Sequence, residues 1–386
     1  MTRLNETWVQ NIFVKMYGIE AFMPEVKGSL LENGYKLTDL KRVESKTRNL
    51  RSMPKAWRWV AKQQEDMARE AEEKGHTETA GMLYHRASLY YGKAQLYFHE
   101  DSPKKKIMHS DMVRCYEKFM KYCEYPIERV ELPFGDKKIY GILHLPKSKG
   151  PFPTVLLVPG MDMIKEDKPN PLDNQFLRRG MAVLSIDGPG QGETRVNGVK
   201  VTLDNYQAAG KVFIDYLVKR PEIDSEKIGL LGISMGSYWG PLIAAHDSRV
   251  KACVAALGCY LDKGRIFNVA QPGFRRNYMY MSGIHDERKF DEMAKEMTLA
   301  KVAGQIKIPI LLACGEYDDL CPPEEVKAFF DMLKGPKEMW IFEDEFHPCG
   351  GVAAELYPWA IDWLHDCLFR GCEPGLKKER FFEARY

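Results

Sequence analysis

The sequence lacks several features that would assign it to other classes of protein. Lys and Arg number 56 against 54 Asp and Glu, a formal net charge of +2, so there is no excess of positive charge to attract nucleic acid or an anionic membrane. No segment approaches the roughly 20 apolar residues that a membrane-spanning helix needs. The first thirty residues carry charges throughout, without an apolar stretch of signal-peptide length. We therefore expect a cytoplasmic protein with a small-molecule partner, and neither a nucleic acid nor a membrane.

Cysteine and histidine are absent from the patterns that bind metals. The nine Cys residues are scattered with no C-x-x-C pair, and there is no H-x-x-H pattern. An odd number of scattered cysteines is typical of free thiols in a reducing compartment. The sequence thus predicts nine free thiols, no metal and no cofactor. A homodimer is left open.

The chain has ample apolar material and is too long for one ordinary domain. It contains 386 residues, 45% hydrophobic and 28% charged, which predicts a globular protein of two units. Up to about residue 123 it is rich in Ala, Glu, Lys, Met and Tyr at helical spacing. Residues 55–98 predict two antiparallel helices broken at Gly75, with Thr77 as a candidate cap of the second. We assign residues 1–125 to an N-terminal helical cap domain and 126–386 to a catalytic domain.

From residue 126 the pattern changes to that of short strands. Apolar and polar residues alternate on either side of a Gly135-Asp136 turn, which predicts a β-hairpin. Val/Ile/Leu runs separated by helix-length segments then begin near residues 154, 181, 228, 250, 308 and 338. Such runs are typical of buried parallel strands with crossover helices, so the predicted fold class is α/β, a mostly parallel sheet flanked by helices. Residues 262–301, rich in aromatics, Met and Arg, interrupt this rhythm and are expected to form a lid insertion.

The strongest chemical signal is a G-x-S-x-G pattern centred on Ser234. It follows the apolar run IGLLG and precedes a helical segment, the strand–turn–helix setting of a nucleophile elbow. The alternative, a glycine-rich structural turn, carries less weight in this context. A serine hydroxyl needs a base, and the base needs an orienting acid; in this setting they follow in the chain order Ser, acid, His. Asp318 and His347 each follow a predicted strand, where open α/β sheets build their sites.

Other carboxylates and histidines compete for these roles. Asp318 is preferred over Glu316 and Asp319 because it completes a Gly-x-x-Asp pattern after the strand. His285 precedes the acid and follows no strand, and His365 is expected to be a partly buried residue of the last helix. The triad predicted from the sequence is therefore Ser234, Asp318 and His347.

Acyl transfer also needs hydrogen-bond donors for the oxyanion of the tetrahedral intermediate. We expect the backbone N–H groups of Met235, directly after the nucleophile, and Met161, in the loop after the first parallel strand. The charges that follow Met161, at positions 162 and 165–167, are expected to be solvated loop charges, the alternative being a catalytic role. The Gly-rich stretch at residues 187–193 lacks the lysine of a phosphate loop and is interpreted as a structural turn. Cys321 and Cys349 are expected to fill space.

With these residues in place, the chain resembles the FrsA-like branch of the α/β hydrolases, which carries a helical domain before the hydrolase core. The resemblance rests on LYHRASLYYGKAQLYF in the helical segment, on IDGPGQGE at residues 186–193, on the elbow, and on GEYDD and EFH. Within that branch it is similar to the nicotine-pathway hydrolase and the fungal heptaketide-shortening hydrolases of pigment synthesis. The resemblance implies cleavage of a carbon–carbon bond beside a ketone in a 1,3-dicarbonyl or polyketide substrate, although other members look like carboxylesterases.

The substrate site is predicted less directly. The nicotine-pathway member places an additional functional carboxylate after the strand that follows the elbow helix, and the corresponding stretch here, residues 258–265, offers only Asp262. Phe274, Tyr278 and Tyr280 are expected to contact an apolar or aromatic carbonyl substrate, with the helical segment and the insertion covering the site. The leading hypothesis is a serine hydrolase acting on an ester or an activated carbon–carbon bond. The alternative is a noncatalytic α/β-hydrolase scaffold that binds a partner.

Overall fold

The computed structural model describes residues 12, 26–270, 272–373 and 375–384. The chain divides into two compact units. The helical unit runs to Ile127 and also includes Glu166–Asp173; the α/β unit contains Glu128–Lys165 and the chain from Asn174 onward.

The helical unit is built from amphipathic and buried helices. Among the described residues, its α-helices include α1 (Val26–Glu32), α2 (Leu37–Lys46), α3 (Met53–Glu73), α4 (Thr77–Leu96) and α5 (Pro103–Met120). α4 packs against both α3 and α5. Gly81 of α4 allows the chain just after α5 to approach closely, since a Cβ added at Gly81 would lie 2.9 Å from the Cβ of Tyr122.

The break between α3 and α4 lies where the sequence predicts it, but the capping residue differs. Gly75 has a φ of 75°, in the left-handed region that glycine adopts readily after a helix. His76 is the N-cap of α4, because the amide of Ala80 donates to its carbonyl oxygen at 2.9 Å. The prediction of Thr77 as the cap was therefore wrong, since Thr77 is already the first helical residue.

Glu166 and Asp167 are buried in the helical unit, only 2% and 1% exposed, so the prediction that they are solvated was wrong. Asp167 accepts a hydrogen bond from the Tyr35 hydroxyl at 3.0 Å and lies 3.8 Å from the Lys93 ammonium. These partners replace water around the carboxylate. Burial and this neighbouring carboxylate raise the pKa of Tyr35 well above its usual value.

The α/β unit is organised around a nine-stranded sheet within the described residues. Its strand order is β1-β2-β4-β3-β5-β6-β7-β8-β9. β2 pairs antiparallel with β4. Every later neighbouring pair in this order, from β4 and β3 to β8 and β9, is parallel. The bounds are β1 (Ile127–Phe134), β2 (Lys137–His144), β3 (Phe152–Val158), β4 (Ala182–Asp187), β5 (Ile223–Ile233), β6 (Val250–Ala256), β7 (Ile310–Gly315), β8 (Lys337–Phe342) and β9 (Lys377–Phe382). The six apolar runs are β3 to β8, which confirms the α/β prediction.

Helices cover both faces of this sheet because successive side chains of a strand point to opposite sides. Leu230 of β5 belongs to one apolar cluster, with Phe213 and Trp239, and the adjacent Leu231 belongs to the other, with Leu364. The helices are α6 (Gly192–Val196), α7 (Asn205–Leu217), α8 (Gly236–His246), α9 (Lys263–Val269), α10 (Pro272–Ser282), α11 (Glu287–Glu296), α12 (Pro323–Met332) and α13 (Ala353–Arg370). The insertion at residues 262–301 thus contains α9, α10 and α11.

Two of the nine cysteines are joined to each other. Cys367, in α13, and Cys372 form a disulfide, with Cα atoms 4.6 Å apart, so the prediction of nine free thiols was wrong for this pair. The chain turns back at Gly371, whose φ is 79°, and this turn brings the two residues together.

Across the described ranges, no helix is both long and apolar enough to cross a membrane.

Candidate active site

The turn between β5 and α8 presents Ser234 in a strained conformation. Its φ is 55°, in the left-handed region that non-glycine residues seldom adopt and that is concentrated at functional sites. The flanking glycines are required by close packing. A Cβ at Gly232 would collide with the carbonyl of Gly236, and one at Gly236 would collide with the carbonyl of Val158 in β3.

Three side chains from different strand ends meet at this turn. The Oγ atom of Ser234 lies 2.9 Å from Nε2 of His347, and Nδ1 of His347 lies 3.0 Å from Oδ2 of Asp318. The other oxygen of Asp318 accepts hydrogen bonds from the amides of Leu320 and Cys321, at 2.9 and 2.8 Å. The carboxylate is thus held in one orientation and is only 1% exposed.

The competing residues are placed elsewhere. Asp319 is exposed, and Glu316 accepts a hydrogen bond from the amide of Asp344 at 3.1 Å. His285 is exposed, while His365 is a half-buried residue of α13 bonded to its neighbour Asp366. Of these candidate acids and bases, His347 is hydrogen-bonded to Ser234 and Asp318 is hydrogen-bonded to His347.

The electrostatic environment makes His347 more basic than a free imidazole. Burial alone would lower the pKa of His347, but the charge and hydrogen bond of Asp318 outweigh it and raise that pKa above its usual value. An imidazole in this position accepts a proton from a serine hydroxyl more readily.

The loop after β3 lies directly beside the serine. A Cβ added at Gly160 would lie 3.3 Å from the Cβ of Ser234. Met161 is buried, and its carbonyl accepts a hydrogen bond from the Asn277 side chain at 3.1 Å. Met235 is buried at the N-terminus of α8. Within the described part of the chain, neither the Met161 nor the Met235 amide has a hydrogen-bond acceptor, so both remain available to a ligand oxygen.

Gln191, from the Gly-rich stretch after β4, fixes this loop. Its side-chain amide donates to the carbonyls of Pro159 and Gly160, at 3.2 and 2.8 Å, and its oxygen accepts from the amide of Gly188 at 3.2 Å. The stretch is a structural turn, as predicted. Sequence reasoning missed the role of Gln191, although the turn that carries it had been recognised.

The same loop is anchored a few residues further on by a buried ion pair. Asp187, at the end of β4, accepts from the Lys165 amide at 2.9 Å and from its ammonium at 3.1 Å, and the ammonium also lies 3.0 Å from Glu193. The prediction of a solvated Lys165 was therefore wrong, because two carboxylates compensate its burial. Asp162 is exposed, as expected.

The four residues predicted to contact substrate occupy different environments. Phe274 is half-buried and Asp262 is exposed. Tyr278 is buried among the rings of Trp239, Phe267 and Phe290. Tyr280 is also buried, and the Arg195 guanidinium lies 4.0 Å from its ring centre. Tyr278 thus packs the insertion against α8, and Tyr280 packs it against α6. A contact of any of the four residues with substrate stays a prediction.

Two thiols near the site are buried. Cys321 is buried and donates to the carbonyl of Gly258, and burial raises its pKa well above the usual value. Cys349 is buried as well. Among the described residues, no group of three or more His, Cys, Asp or Glu is arranged to hold a metal ion.

Fold and site together define an α/β hydrolase. The chain belongs to the esterase FrsA-like family, whose sequence model matches residues 50–288, as the motifs predicted.

Similar proteins include named hydrolases. The chain is 28% identical over 319 residues to the 2,6-dihydropseudooxynicotine hydrolase of Paenarthrobacter nicotinovorans, covering 82% of this chain and 84% of that protein. A crystal structure of a 2,6-dihydroxy-pseudo-oxynicotine hydrolase superposes with a TM-score of 0.80 at 25% identity, over 91% of this chain and 99% of the other. The 20-hydroxy-prefusarin hydrolase of Gibberella moniliformis is 30% identical over 215 residues, 53% of this chain. The match spans about half of that fungal protein's length, 51%.

Proposed function

We propose that the protein is a serine hydrolase in which Ser234 is the nucleophile, His347 the general base and Asp318 the residue that orients the base. The observation that carries the proposal is the continuous line of hydrogen bonds from Ser234 Oγ through the His347 ring to Asp318, at 2.9 and 3.0 Å. Membership of an esterase family whose relatives are named hydrolases supports it.

The proposed reaction has two half-reactions. Ser234 attacks the substrate carbonyl carbon while its proton passes to Nε2 of His347, and the Asp318 carboxylate stabilises the resulting imidazolium. The amides of Met161 and Met235 donate to the developing oxyanion. His347 then protonates the leaving group, and an acyl-Ser234 intermediate remains. Water, deprotonated by His347, releases the carboxylic acid and restores the serine.

The proposed substrate is an apolar or aromatic carbonyl compound, either a carboxylic ester or a polyketide or 1,3-dicarbonyl compound cleaved beside a ketone. Two relatives are named as hydrolases of a pseudooxynicotine and of a prefusarin compound, which supports a small organic substrate. Both reactions use the same nucleophile, base and oxyanion donors.

The test is a comparison of the wild type with Ser234→Ala on a panel of acyl esters and β-diketones. We expect Ser234→Ala to remain folded and to lose at least about a thousandfold in turnover, because the covalent route is removed. A fluorophosphonate probe should label Ser234 and not Ser237 or Ser282. Retained activity in the variant would refute the assignment, and a wild type inert on the whole panel would favour a noncatalytic binding scaffold.

We also propose a cytoplasmic location and a homodimeric assembly. Seven free cysteines, most of them buried, are compatible with a reducing compartment, whereas the Cys367–Cys372 disulfide is the observation against it. Cell fractionation and light scattering of the purified protein test the two proposals separately.

A further inference from the structure

A buried lysine in the first helix of the insertion takes no part in the reaction described so far. Lys263 is 0% exposed. Its Nζ atom has no hydrogen-bond acceptor among the residues that the structure describes. Lysines are almost never fully buried unless their charge is paired, because an uncompensated ammonium loses its hydration without replacement. Within the described residues, this ammonium is therefore left for a polar group of a ligand to satisfy.

The segment that carries Lys263 is held between the serine turn and the acid turn. Gly258, after β6, lies so close to Ser237 of α8 that a Cβ there would collide with the Ser237 hydroxyl. The carbonyl of the same glycine accepts a hydrogen bond from Cys321, whose amide is bonded to Asp318. The chain that leads to Lys263 therefore lies between the two turns that supply Ser234 and Asp318.

The lysine side chain contacts the helix that follows the serine turn. Its ammonium lies 4.9 Å from the ring centre of Tyr238 in α8, four residues after Ser234. The charge of Lys263 lowers the pKa of His347, so the two groups interact through the protein interior. Burial in turn lowers the pKa of Lys263.

The carboxylate that acts on this charge is already occupied. Glu325 of α12 accepts hydrogen bonds at Oε1 from the amides of Tyr260, Leu261 and Asp262, at 2.6, 2.6 and 3.2 Å. It thereby fixes the loop before Lys263 and affects the lysine only through space. The N–H donors of the Lys263 ammonium therefore have no acceptor among the described residues.

We propose that Lys263 binds a second oxygen of the substrate, one that carries or develops negative charge beside the scissile carbonyl, and so selects enolisable 1,3-dicarbonyl compounds over simple esters. The inference rests on the proposed serine hydrolase function. A buried ammonium with free donors is the partner that an enolate oxygen requires in an apolar site.

The chemistry balances without any further reactant than water. Ser234 Oγ bonds to one carbonyl carbon as its proton moves to His347. The bond from that carbon to the central carbon breaks, and its electron pair becomes an enolate whose oxygen is held by Lys263. His347 returns the proton to the central carbon, which yields a ketone, and water then cleaves the acyl-Ser234 to a carboxylic acid.

The first experiment measures binding in the inactive background. Ser234→Ala is titrated with 1-phenylbutane-1,3-dione, whose enolate absorbs differently from its neutral forms. We expect the enolate band to appear on binding and to be lost when Lys263→Met is added, with affinity reduced about 10- to 100-fold, the range for a hydrogen bond to a charged group. An equally strong enolate band in both proteins, or no binding in either, overturns the proposal.

The second experiment compares substrates in the active enzyme. Lys263→Met should lower the ratio of kcat/KM for the diketone to that for phenyl acetate by about 10- to 100-fold. An equal fall on both substrates, or a wild type that cleaves esters and never the diketone, overturns the role of Lys263 while leaving the hydrolase assignment intact. Turnover by Ser234→Ala would instead refute the hydrolase assignment itself.

Lys337→Met provides a matched control. Lys337 is also buried, but its ammonium donates to the carbonyls of Phe330 and Leu333, at 2.6 and 2.9 Å. We expect this variant to lose thermal stability while the ratio of kcat/KM for the diketone to that for phenyl acetate stays unchanged.

Lys263→Met should be at least as stable as the wild type, because it removes an unpaired buried charge. Lys263→Gln serves as a second neutral variant. A loss of stability in both Lys263 variants with an unchanged ratio would show a structural role and refute the proposal.

Discussion

The side-chain amide of Gln191 donates a hydrogen bond to the carbonyl oxygen of Gly160 at 2.8 Å. Gly160 lies beside Ser234, because a Cβ added at Gly160 would lie 3.3 Å from the Cβ of Ser234. The Gln191 side chain thus holds the loop that carries Met161 in its position beside the serine.

This relationship predicts that Gln191→Ala impairs turnover more than substrate binding. Releasing the Gly160 carbonyl lets the loop shift, and a displacement of about 1 Å at a catalytic group can cost roughly a hundredfold in rate. We expect kcat to fall about 10- to 100-fold with little change in KM. Gln305→Ala, at an exposed position, is the control. A larger effect on KM than on kcat would contradict the positioning role.

Asp318→Asn should lower activity and move the acidic limb of the pH profile. Activity requires neutral His347, so kcat/KM falls as the pH drops through the pKa of that residue. Asp318 raises this pKa against the opposing effect of burial, and its replacement by a neutral amide should shift the limb to lower pH while the plateau falls roughly a thousandfold or more. Asp319→Asn, which changes an exposed carboxylate, should leave the profile in place. The reverse ranking would identify Asp319 as the acid.

Lys165→Met should destabilise the α/β unit. It leaves Asp187 and Glu193 without the ammonium that lies 3.1 and 3.0 Å from them. Breaking one side of a buried ion pair costs roughly 3 to 5 kcal/mol in the free energy of unfolding, measurable by denaturant titration. Lys301→Ala removes an exposed pair with Glu296 and should leave the unfolding midpoint unchanged. Equal midpoints for the two variants would show that the buried pair contributes nothing.

The aromatic residues of the insertion should separate into two groups. Tyr278→Ala removes a buried ring that contacts three other aromatic residues, and we expect a loss of roughly 3 to 5 kcal/mol in stability. Phe274 is half-buried, so Phe274→Ala should change the order of preference among acyl substrates with a small change in Tm. An unaltered preference in Phe274→Ala would remove it from the proposed substrate site. The covering of the site by the helical segment and the insertion stays a prediction.

The sequence alone determined the architecture and the candidate triad because both depend on local patterns. Apolar runs long enough for a buried strand predict β3 to β8 wherever they occur, and a glycine-flanked serine between strand and helix specifies a tight turn whatever surrounds it. The order of Ser234, Asp318 and His347 along the chain, each after a strand, placed them at one edge of a parallel sheet. In the structure these side chains lie within hydrogen-bond distance.

Only the tertiary structure decided which polar residues are buried and what they contact. Lys165, Asp167 and Lys263 look like ordinary solvated charges in the sequence, yet each is at most 1% exposed. Lys165 and Asp167 are paired with residues distant in the chain, Asp187 and Tyr35, whereas Lys263 has no hydrogen-bond acceptor among the described residues. The same holds for Gln191, whose acceptors lie about thirty residues earlier, and for the Cys367–Cys372 pair. The burial and pairing of a side chain depend on residues that are distant in the sequence, so no local pattern of residue types predicts them.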